Sequence, residues 1–280
     1  MNYRHDFHAG NFADVFKHII LTRVLLHLGL KPAAFRYIET HAGSGVYDLS
    51  GPQAARTAEW RGGIGRLALS ELAAGARELI QPYLQIAAPL LDLDPPRYPG
   101  SPAVARALLR RQDKMLLCEL HPQAWRALKA NVGFDARAKL IEIDGYVGLN
   151  AFIPPIERRG LVLIDPPFEA TDEFGRLAGA IEAAWRKWAT GVYVAWYPVK
   201  DVEKAASFAR SLARSGVKPL LRLELQIDTV QPRGPLSRSG LIIVNPPFSL
   251  EAEARLILPC LSQCLAVGRA GSMIEWLAGE

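Results

Sequence analysis

The sequence predicts an α/β protein in which helices cover both faces of a doubly wound, mostly parallel β-sheet. Short apolar runs typical of buried strands alternate with longer segments whose apolar residues recur at helical spacing. Half of the 280 residues are hydrophobic, which is enough to bury one large core. We therefore expect a Rossmann-like architecture that binds its ligands at the carboxyl ends of the strands.

The predicted elements follow in a regular order. A first helix covers residues 13–28, with Asn11 or Asp14 as its cap. Strands are predicted at 35–38, 115–119, 139–144, 161–164, 192–196, 220–227 and 241–244. Helices are predicted at 101–111, 122–132 and 202–214, and along the stripe of Leu177, Ile181, Trp185 and Trp188. The last of these strands is expected to run antiparallel to the others.

Residues 51–96 differ in character from the rest of the chain. They are rich in alanine, helical in period, and closed by Asp94-Pro95-Pro96. They also explain why Gly45 and Glu119 lie further apart than one helix and one strand require. We predict that residues 51–96 form an inserted helical subdomain. Residues 1–50 and 97–280 then form a Rossmann-like domain with an amino-terminal arm.

Composition limits the classes of function. The formal net charge of +5, from 33 Lys and Arg against 28 Asp and Glu, fits a nucleic-acid partner without requiring one. The three cysteines show no metal-ligand or disulfide spacing, so we expect a reduced, cytoplasmic protein without metal. No signal peptide is recognised, and Arg23 and His27 interrupt the longest apolar stretch, so no membrane segment is expected.

The most informative motif is Asp165-Pro166-Pro167-Phe168, which ends the apolar run 161–164. Because prolines lack backbone donors and fix φ, the carbonyls of Asp165 and Pro166 are not drawn into a ladder or helix. A carboxylate, a free carbonyl and a flat ring suit a planar amino group, which needs two acceptors and a stacking partner. The motif resembles that of methyltransferases acting on the exocyclic amine of adenine. The structural alternative is a strand end followed by a proline turn.

A second element, Asn245-Pro-Pro-Phe248, repeats the pattern further along the chain. Because its strand is expected to be antiparallel, the carboxyl end of that strand lies on the side of the sheet opposite Asp165. Asn245 is therefore predicted to be structural. The loop before this strand carries Arg233 and Arg238, which are candidate phosphate contacts if they are not simply solvated.

Acids and glycines mark three other strand ends: residues 39–45, Glu119, and Asp144-Gly145. Glycines let the backbone approach a ligand, and Glu119 is placed to accept both hydroxyls of a ribose. Asp144 is suited to an adenine amino group. Ser101 opens a helix, as its predicted amino-terminal cap, where backbone N–H groups attract a carboxylate. The pattern resembles S-adenosylmethionine (SAM) binding far better than NAD binding.

Residues 3–11 form a polar and aromatic arm before the first helix. Its histidines and His18 match no metal-ligand spacing, so an arm that covers the cofactor or contacts substrate is the better interpretation. Lys17 and His18 are adjacent and face different directions, one suited to cofactor and the other to a phosphate. The alternative is a solvated lysine beside a packed histidine.

Together these motifs resemble the ribosomal RNA large subunit methyltransferase J family. The resemblance runs through nearly the whole chain, at residues 3–18, 40–43, 98–102, 119–122, 144–145 and 164–168. It implies SAM-dependent N6 methylation of one adenine in 23S ribosomal RNA by a class I SAM-dependent methyltransferase, which we expect to be monomeric. Phe168 is a departure, since members of the family often carry Tyr there.

The implied site residues fall into three groups. Asp165, Pro166 and Phe168 are catalytic, and Tyr3 and Lys17 lie near the substrate. The cofactor-binding residues are His18, His41, Gly43, Ser101, Glu119, Asp144, Gly145 and Asp165.

Two other functions stay open at this point. The tetrapeptide fits adenine in DNA or a glutamine amide in a protein equally well, because both present two N–H bonds. A Rossmann-like RNA-binding protein without catalysis is the second alternative, although acids at every expected strand end speak against it.

Overall fold

The structure, a computed structural model, describes residues 5–68 and 70–279. Within them, eight strands form the main sheet, in the order β10-β8-β9-β7-β6-β1-β4-β5. Their bounds are β1 (Arg36–Glu39), β4 (Lys114–Cys118), β5 (Ala138–Ile141), β6 (Gly160–Ile164), β7 (Val192–Pro198), β8 (Leu220–Gln226), β9 (Arg238–Val244) and β10 (Gly271–Ala278). A separate two-stranded sheet pairs β2 (Val46–Asp48) with β3 (Arg97–Pro99).

Helices cover both faces of the main sheet. They are α1 (Phe12–Gly29), α2 (Pro52–Thr57), α3 (Glu59–Gly62), α4 (Ile64–Ala68), α5 (Ala74–Leu91), α6 (Ser101–Leu108), α7 (Pro122–Val132), α8 (Gly145–Phe152), α9 (Glu173–Lys187), α10 (Val202–Arg214) and α11 (Leu250–Cys264). One apolar cluster joins α1, α5, α6, α7 and α11 to one face, and a second joins α8, α9 and α10 to the other. A doubly wound α/β architecture, the predicted fold class, is therefore present.

Strand direction places the functional edge of the sheet. β1, β4, β5, β6 and β7 run in one direction, and β8 runs with them, because β9 is antiparallel to both β7 and β8. The predicted reversal of the strand at 241–244 is thus confirmed. It is not the last strand, however, because β10 adds an antiparallel edge strand beside β8. The sequence pattern missed β10 since none of its residues is fully buried, so its apolar periodicity is weak.

Three predicted boundaries were wrong by three residues. β9 begins at Arg238 and not at residue 241. β5 ends at Ile141 and not at residue 144, and Asp144 instead caps α8. The helix after Gly100 ends at Leu108 and not at residue 111. Its amino-terminal cap is Gly100, whose backbone is extended, so Ser101 is already helical and its side chain does not cap the helix.

Residues 51–96 contain α2, α3, α4 and α5 in their described part, between β2 and β3. Their apolar side chains, among them Ile64, Ile80 and Tyr83, belong to the same cluster as those of α1. The division into a domain and a subdomain stays a prediction. Among residues 5–68 and 70–279, none of the helices combines the length and apolar character needed to cross a membrane.

Candidate active site

Two adjoining cavities lie at the carboxyl ends of the central strands. The smaller has a volume of about 330 Å³ and the larger about 760 Å³. Eight of the predicted site residues line the smaller cavity: Lys17, His18, His41, Gly43, Ser101, Glu119, Asp165 and Pro166. Phe168 lines the larger cavity, and Lys17 and Asp165 line both. Tyr3 lies outside the described residues.

The glycine turn after β1 is tied to the end of β4 through Glu119. The backbone N–H of Gly43 donates to Glu119 Oε2 at 2.7 Å, and that of His121 donates to Oε1 at 2.6 Å. Gly43 has a φ of +61°, and a Cβ there would lie 2.2 Å from the hydroxyl of Tyr47. Glycine is therefore required at this turn. The two amides fix the Glu119 carboxylate on the cavity wall, with lone pairs left for a ligand.

Asp144 and Gly145 stand behind this wall and line neither cavity. The Asp144 carboxylate accepts from the backbone N–H of Tyr146 at 3.0 Å and of Val147 at 3.1 Å, so it caps α8. Gly145 packs so closely that a Cβ would lie 2.3 Å from the carbonyl oxygen of Thr40 and 2.7 Å from His41 Cε1. Gly145 thus packs against His41, and burial lowers the pKa of that histidine.

His18 brings an unpaired buried nitrogen to the smaller cavity. Its Nδ1 is 2.8 Å from the Tyr98 hydroxyl, whereas Nε2 is buried and has no hydrogen-bond partner among the described residues. Burial lowers the pKa of His18 to about 3, so the ring is neutral at physiological pH. A buried polar atom without a partner is costly, and a polar ligand group beside His18 would remove that cost.

The hydroxyl of Ser101 contacts Glu39, a residue for which the sequence had indicated no such role. Its Oγ donates to the Glu39 carboxylate, which also accepts from the Tyr37 hydroxyl at 2.8 Å. Glu39 is fully buried, and burial raises its pKa to about 8. The side chain of Ser101 therefore holds the start of α6 against β1.

A buried ion network joins α1 to the end of β6. Lys17 Nζ lies 2.9 Å from Asp14 Oδ1 and also donates to Asp165 Oδ2. Asp14 further accepts from the backbone N–H of Gly10 at 3.0 Å and lies 2.8 Å from His5 Nε2. Burial alone would lower the pKa of Lys17, but the two carboxylates raise it above its ordinary value. Lys17 is thus a charged side chain that positions Asp165 where the two cavities meet.

Phe168 is held by other aromatic rings beside the larger cavity. Its ring meets those of Phe174 and Trp196 edge to face, at centroid distances of 5.0 Å and 5.8 Å. Its φ of +52° is a strained value for a bulky residue, and such strain clusters at functional sites. Trp196 also lines the larger cavity, a role that no sequence motif had indicated.

The other candidates of the sequence analysis are used elsewhere. The Asn245 side-chain amide donates to the carbonyls of Ala189 and Gly191, each at 2.7 Å, away from both cavities. Arg238 is ion-paired with Glu224, and Arg233 is exposed.

Comparison with known proteins places the chain in a family. The family model described as "Ribosomal RNA large subunit methyltransferase D, RlmJ" matches residues 32–278. Two proteins named Ribosomal RNA large subunit methyltransferase J match over 100% of both chains, one from Haemophilus influenzae at 37% identity and one from Escherichia coli K12 at 36%.

A solved structure also matches, that of protein LPL1258 from Legionella pneumophila. It is 36% identical with a TM-score of 0.86, and the match covers 96% of this chain and 98% of that one. These similarities extend over the fold and both cavities described above. The chain belongs to the family of ribosomal RNA large subunit methyltransferases that this family model describes.

Proposed function

We propose that this protein transfers a methyl group from SAM to N6 of one adenine in 23S ribosomal RNA, in the cytoplasm. The observation that carries the proposal is the position of Asp165, which lines both cavities. A cofactor in the smaller cavity and a target base in the larger one would then meet at a single carboxylate.

The residues of the smaller cavity fit SAM, which supplies an activated methyl group on a sulfonium when bound. The Glu119 carboxylate, fixed by two amides, is suited to the two ribose hydroxyls. At the start of α6, the backbone N–H of Ser101 has no hydrogen-bond partner among the described residues and is suited to the methionine carboxylate, whereas Pro102 has no N–H and that of Ala103 donates to the Gly100 carbonyl. His18 Nε2, which has no partner within residues 5–68 and 70–279, is available to a polar group of the cofactor.

Asp165 and Pro166 are placed to activate the target amine. The lone pair of adenine N6 is delocalised into the ring, so the amine is a poor nucleophile. If its two N–H bonds donate to the Asp165 carboxylate and the Pro166 carbonyl, the nitrogen becomes more tetrahedral and its lone pair is localised. Lys17 donates to the Asp165 carboxylate and so orients it for this role. Positioning of this kind supplies much of the acceleration in enzymes.

Phe168 is suited to hold the base once it has left its stack. Extruding a base costs a few kcal/mol, and stacking on an aromatic ring returns about 1–3 kcal/mol. The contacts of Phe168 with Phe174 and Trp196 restrict its ring, so little conformational entropy is lost on stacking.

Transfer of labelled methyl from SAM to 23S ribosomal RNA tests the proposal. The RNA is purified from cells that lack the gene, incubated with the protein, and digested for nucleoside analysis. We expect label in N6-methyladenosine and none with the Asp165→Ala protein. Label in a different nucleoside, or confirmed SAM binding without any transfer to RNA, would contradict the proposal. Adenine in DNA and glutamine amides in protein are tested in parallel as competing acceptors.

A further inference from the structure

Among the residues that the structure describes, the wall of the larger cavity contains one lysine without a protein partner. Lys17 and Lys200 are the lysines that line it, and no arginine appears among the described residues of its wall. Lys17 is buried between Asp14 and Asp165. Lys200 is exposed and makes no hydrogen bond or ion pair with any residue in the described part of the chain. Its charge is therefore available to a ligand.

The acids around Lys200 already have other partners. Asp201, its neighbour in sequence, caps α10 by accepting from the backbone N–H of Glu203 and Lys204. Across the cavity, Glu59 accepts from His8 and Asn11. Asp228 accepts from the backbone N–H of Thr229 and Arg269. None of these three carboxylates makes a hydrogen bond or ion pair with Lys200.

The charge of Lys200 nevertheless acts inside the cavity. The hydrogen bond to Glu59 raises the pKa of His8, and Lys200 opposes that increase by electrostatic repulsion. His8 lines the same cavity from the side of the amino-terminal arm. The cavity lining places Lys200 in the wall of the space proposed for the substrate, and its electrostatic effect on His8 agrees with that position.

Strand register gives the separation between Lys200 and the reacting group. Ile164 of β6 pairs with Ala195 of β7, so Asp165 is level with Trp196. Lys200 follows four residues after Trp196, which is at most about 13 Å along an extended chain. Allowing for the flexible lysine side chain, this range spans the distance from the amino edge of an adenine to a phosphate of the same or a neighbouring nucleotide.

We propose that Lys200 binds a backbone phosphate of the RNA, at or next to the methylated adenosine, and so aligns the extruded base with Asp165. The inference rests on the proposed function and adds a substrate-positioning residue to it. A lysine suits this contact because its ammonium is a compact charge with three donors. Phosphate contacts fix the register of a nucleic acid without reading its sequence.

Methyl transfer by Lys200 variants tests the inference on an RNA fragment that contains the modified adenosine. We expect Lys200→Gln to raise KM for the fragment about tenfold, as for loss of one charge-assisted hydrogen bond. Lys200→Arg should keep KM within about twofold of the unaltered protein, because it retains the charge. Lys204→Gln is the matched control, since Lys204 is an exposed lysine of α10 that lies outside both cavities. The Kd for SAM should be unchanged in all three variants.

A chemical change in the RNA identifies the contact. Fragments with one neutral methylphosphonate at each position around the adenosine are compared with the native fragment. At one position the methylphosphonate should raise KM of the unaltered protein about as much as Lys200→Gln raises KM on native RNA. At that same position it should not raise KM of the Lys200→Gln protein any further. Equal KM values for Lys200→Gln and Lys204→Gln would overturn the inference while leaving the proposed function intact. So would increases in KM from Lys200→Gln and from the methylphosphonate that add at every position. Absence of transfer by the unaltered protein would overturn both.

Discussion

Asp165-Pro-Pro-Phe168 and Asn245-Pro-Pro-Phe248 both follow strands that are buried at their carboxyl ends, yet the two elements lie at opposite ends of the sheet's strands. β6 runs parallel to β7, whereas β9 runs antiparallel to it. The carboxyl end of β6 therefore meets the two cavities, and the carboxyl end of β9 meets the loop before β7. Two elements with almost the same sequence thus have different surroundings, and strand direction is the cause.

The side chains differ in the same way. The Asp165 carboxylate accepts from Lys17 at the junction of the cavities, whereas the Asn245 amide donates to two carbonyl oxygens. Phe168 is half-buried between two aromatic rings, whereas Phe248 is 90% exposed and touches only the edge of His27 among the aromatic contacts of the described residues. The comparison teaches that a short motif acquires a role from the edge of the sheet on which it ends.

The largest difference is expected between Asp165→Ala and Asn245→Ala. Asp165→Ala should lower kcat for methyl transfer at least about 10²-fold, because it removes the acceptor that polarises the amine. Asn245→Ala should leave kcat within about twofold. Steady-state kinetics on 23S ribosomal RNA measure both values.

Asn245→Ala should affect the free energy of unfolding more than it affects kcat. Its amide makes two hydrogen bonds and its φ is +51°, so alanine should lower the free energy of unfolding by about 1–3 kcal/mol. Loss of activity in a folded Asn245→Ala protein would remove the distinction between the two edges.

A smaller difference is expected between Phe168→Ala and Phe248→Ala. Phe168→Ala should raise KM for RNA about tenfold through lost stacking, with the Kd for SAM unchanged. Phe248→Ala should change neither, since its ring is exposed at the opposite edge. Equal weakening of RNA use and SAM binding by Phe168→Ala would argue against a stacking role.

The last prediction concerns stability and not catalysis, through the pH dependence of the buried Glu39 carboxyl group. Burial raises the pKa of Glu39 from 4.5 to about 8, so the folded state binds the proton more tightly than the unfolded state. This group's stabilising contribution is full below about pH 4.5 and decreases as pH rises to about 8, by at most about 1.4 kcal/mol per pH unit.

Denaturant unfolding of the unaltered protein and of Glu39→Gln, at intervals of about one pH unit between pH 5 and 8, measures the contribution of Glu39 to the free energy of unfolding. The unaltered protein should lose stability relative to Glu39→Gln as pH rises. A constant difference between the two proteins across the range would show that Glu39 does not titrate there.

The sequence predicted the features that depend on local pattern. Short apolar runs marked the strands and acids followed their ends, so Glu119 and Asp165 were correctly expected at the same end of the sheet. Helical capping at Asn11 was also readable, because the cap lies directly before the apolar stripe of α1.

Contacts between distant parts of the chain could not be predicted from the sequence. Lys17 and Asp165 are separated by 148 residues, and nothing in either neighbourhood indicates that they form an ion pair. The hydrogen bond between Ser101 and Glu39, 62 residues apart, was not predicted either. The neighbouring sequence of Ser101 indicated a helix cap instead. Asp144 was placed on a strand end because a polar cap three residues beyond β5 gives the same sequence signal.

The most direct test of the central claim is the N6-methyladenosine content of 23S ribosomal RNA in cells. Cells that lack the gene are complemented with the unaltered protein, Asn245→Ala or Asp165→Ala, at matched expression, and their 23S ribosomal RNA is digested and quantified by mass spectrometry. We expect the first two proteins to restore the modified nucleoside and Asp165→Ala to leave it absent. Restoration by Asp165→Ala, or failure of the unaltered protein to restore it, would contradict the account.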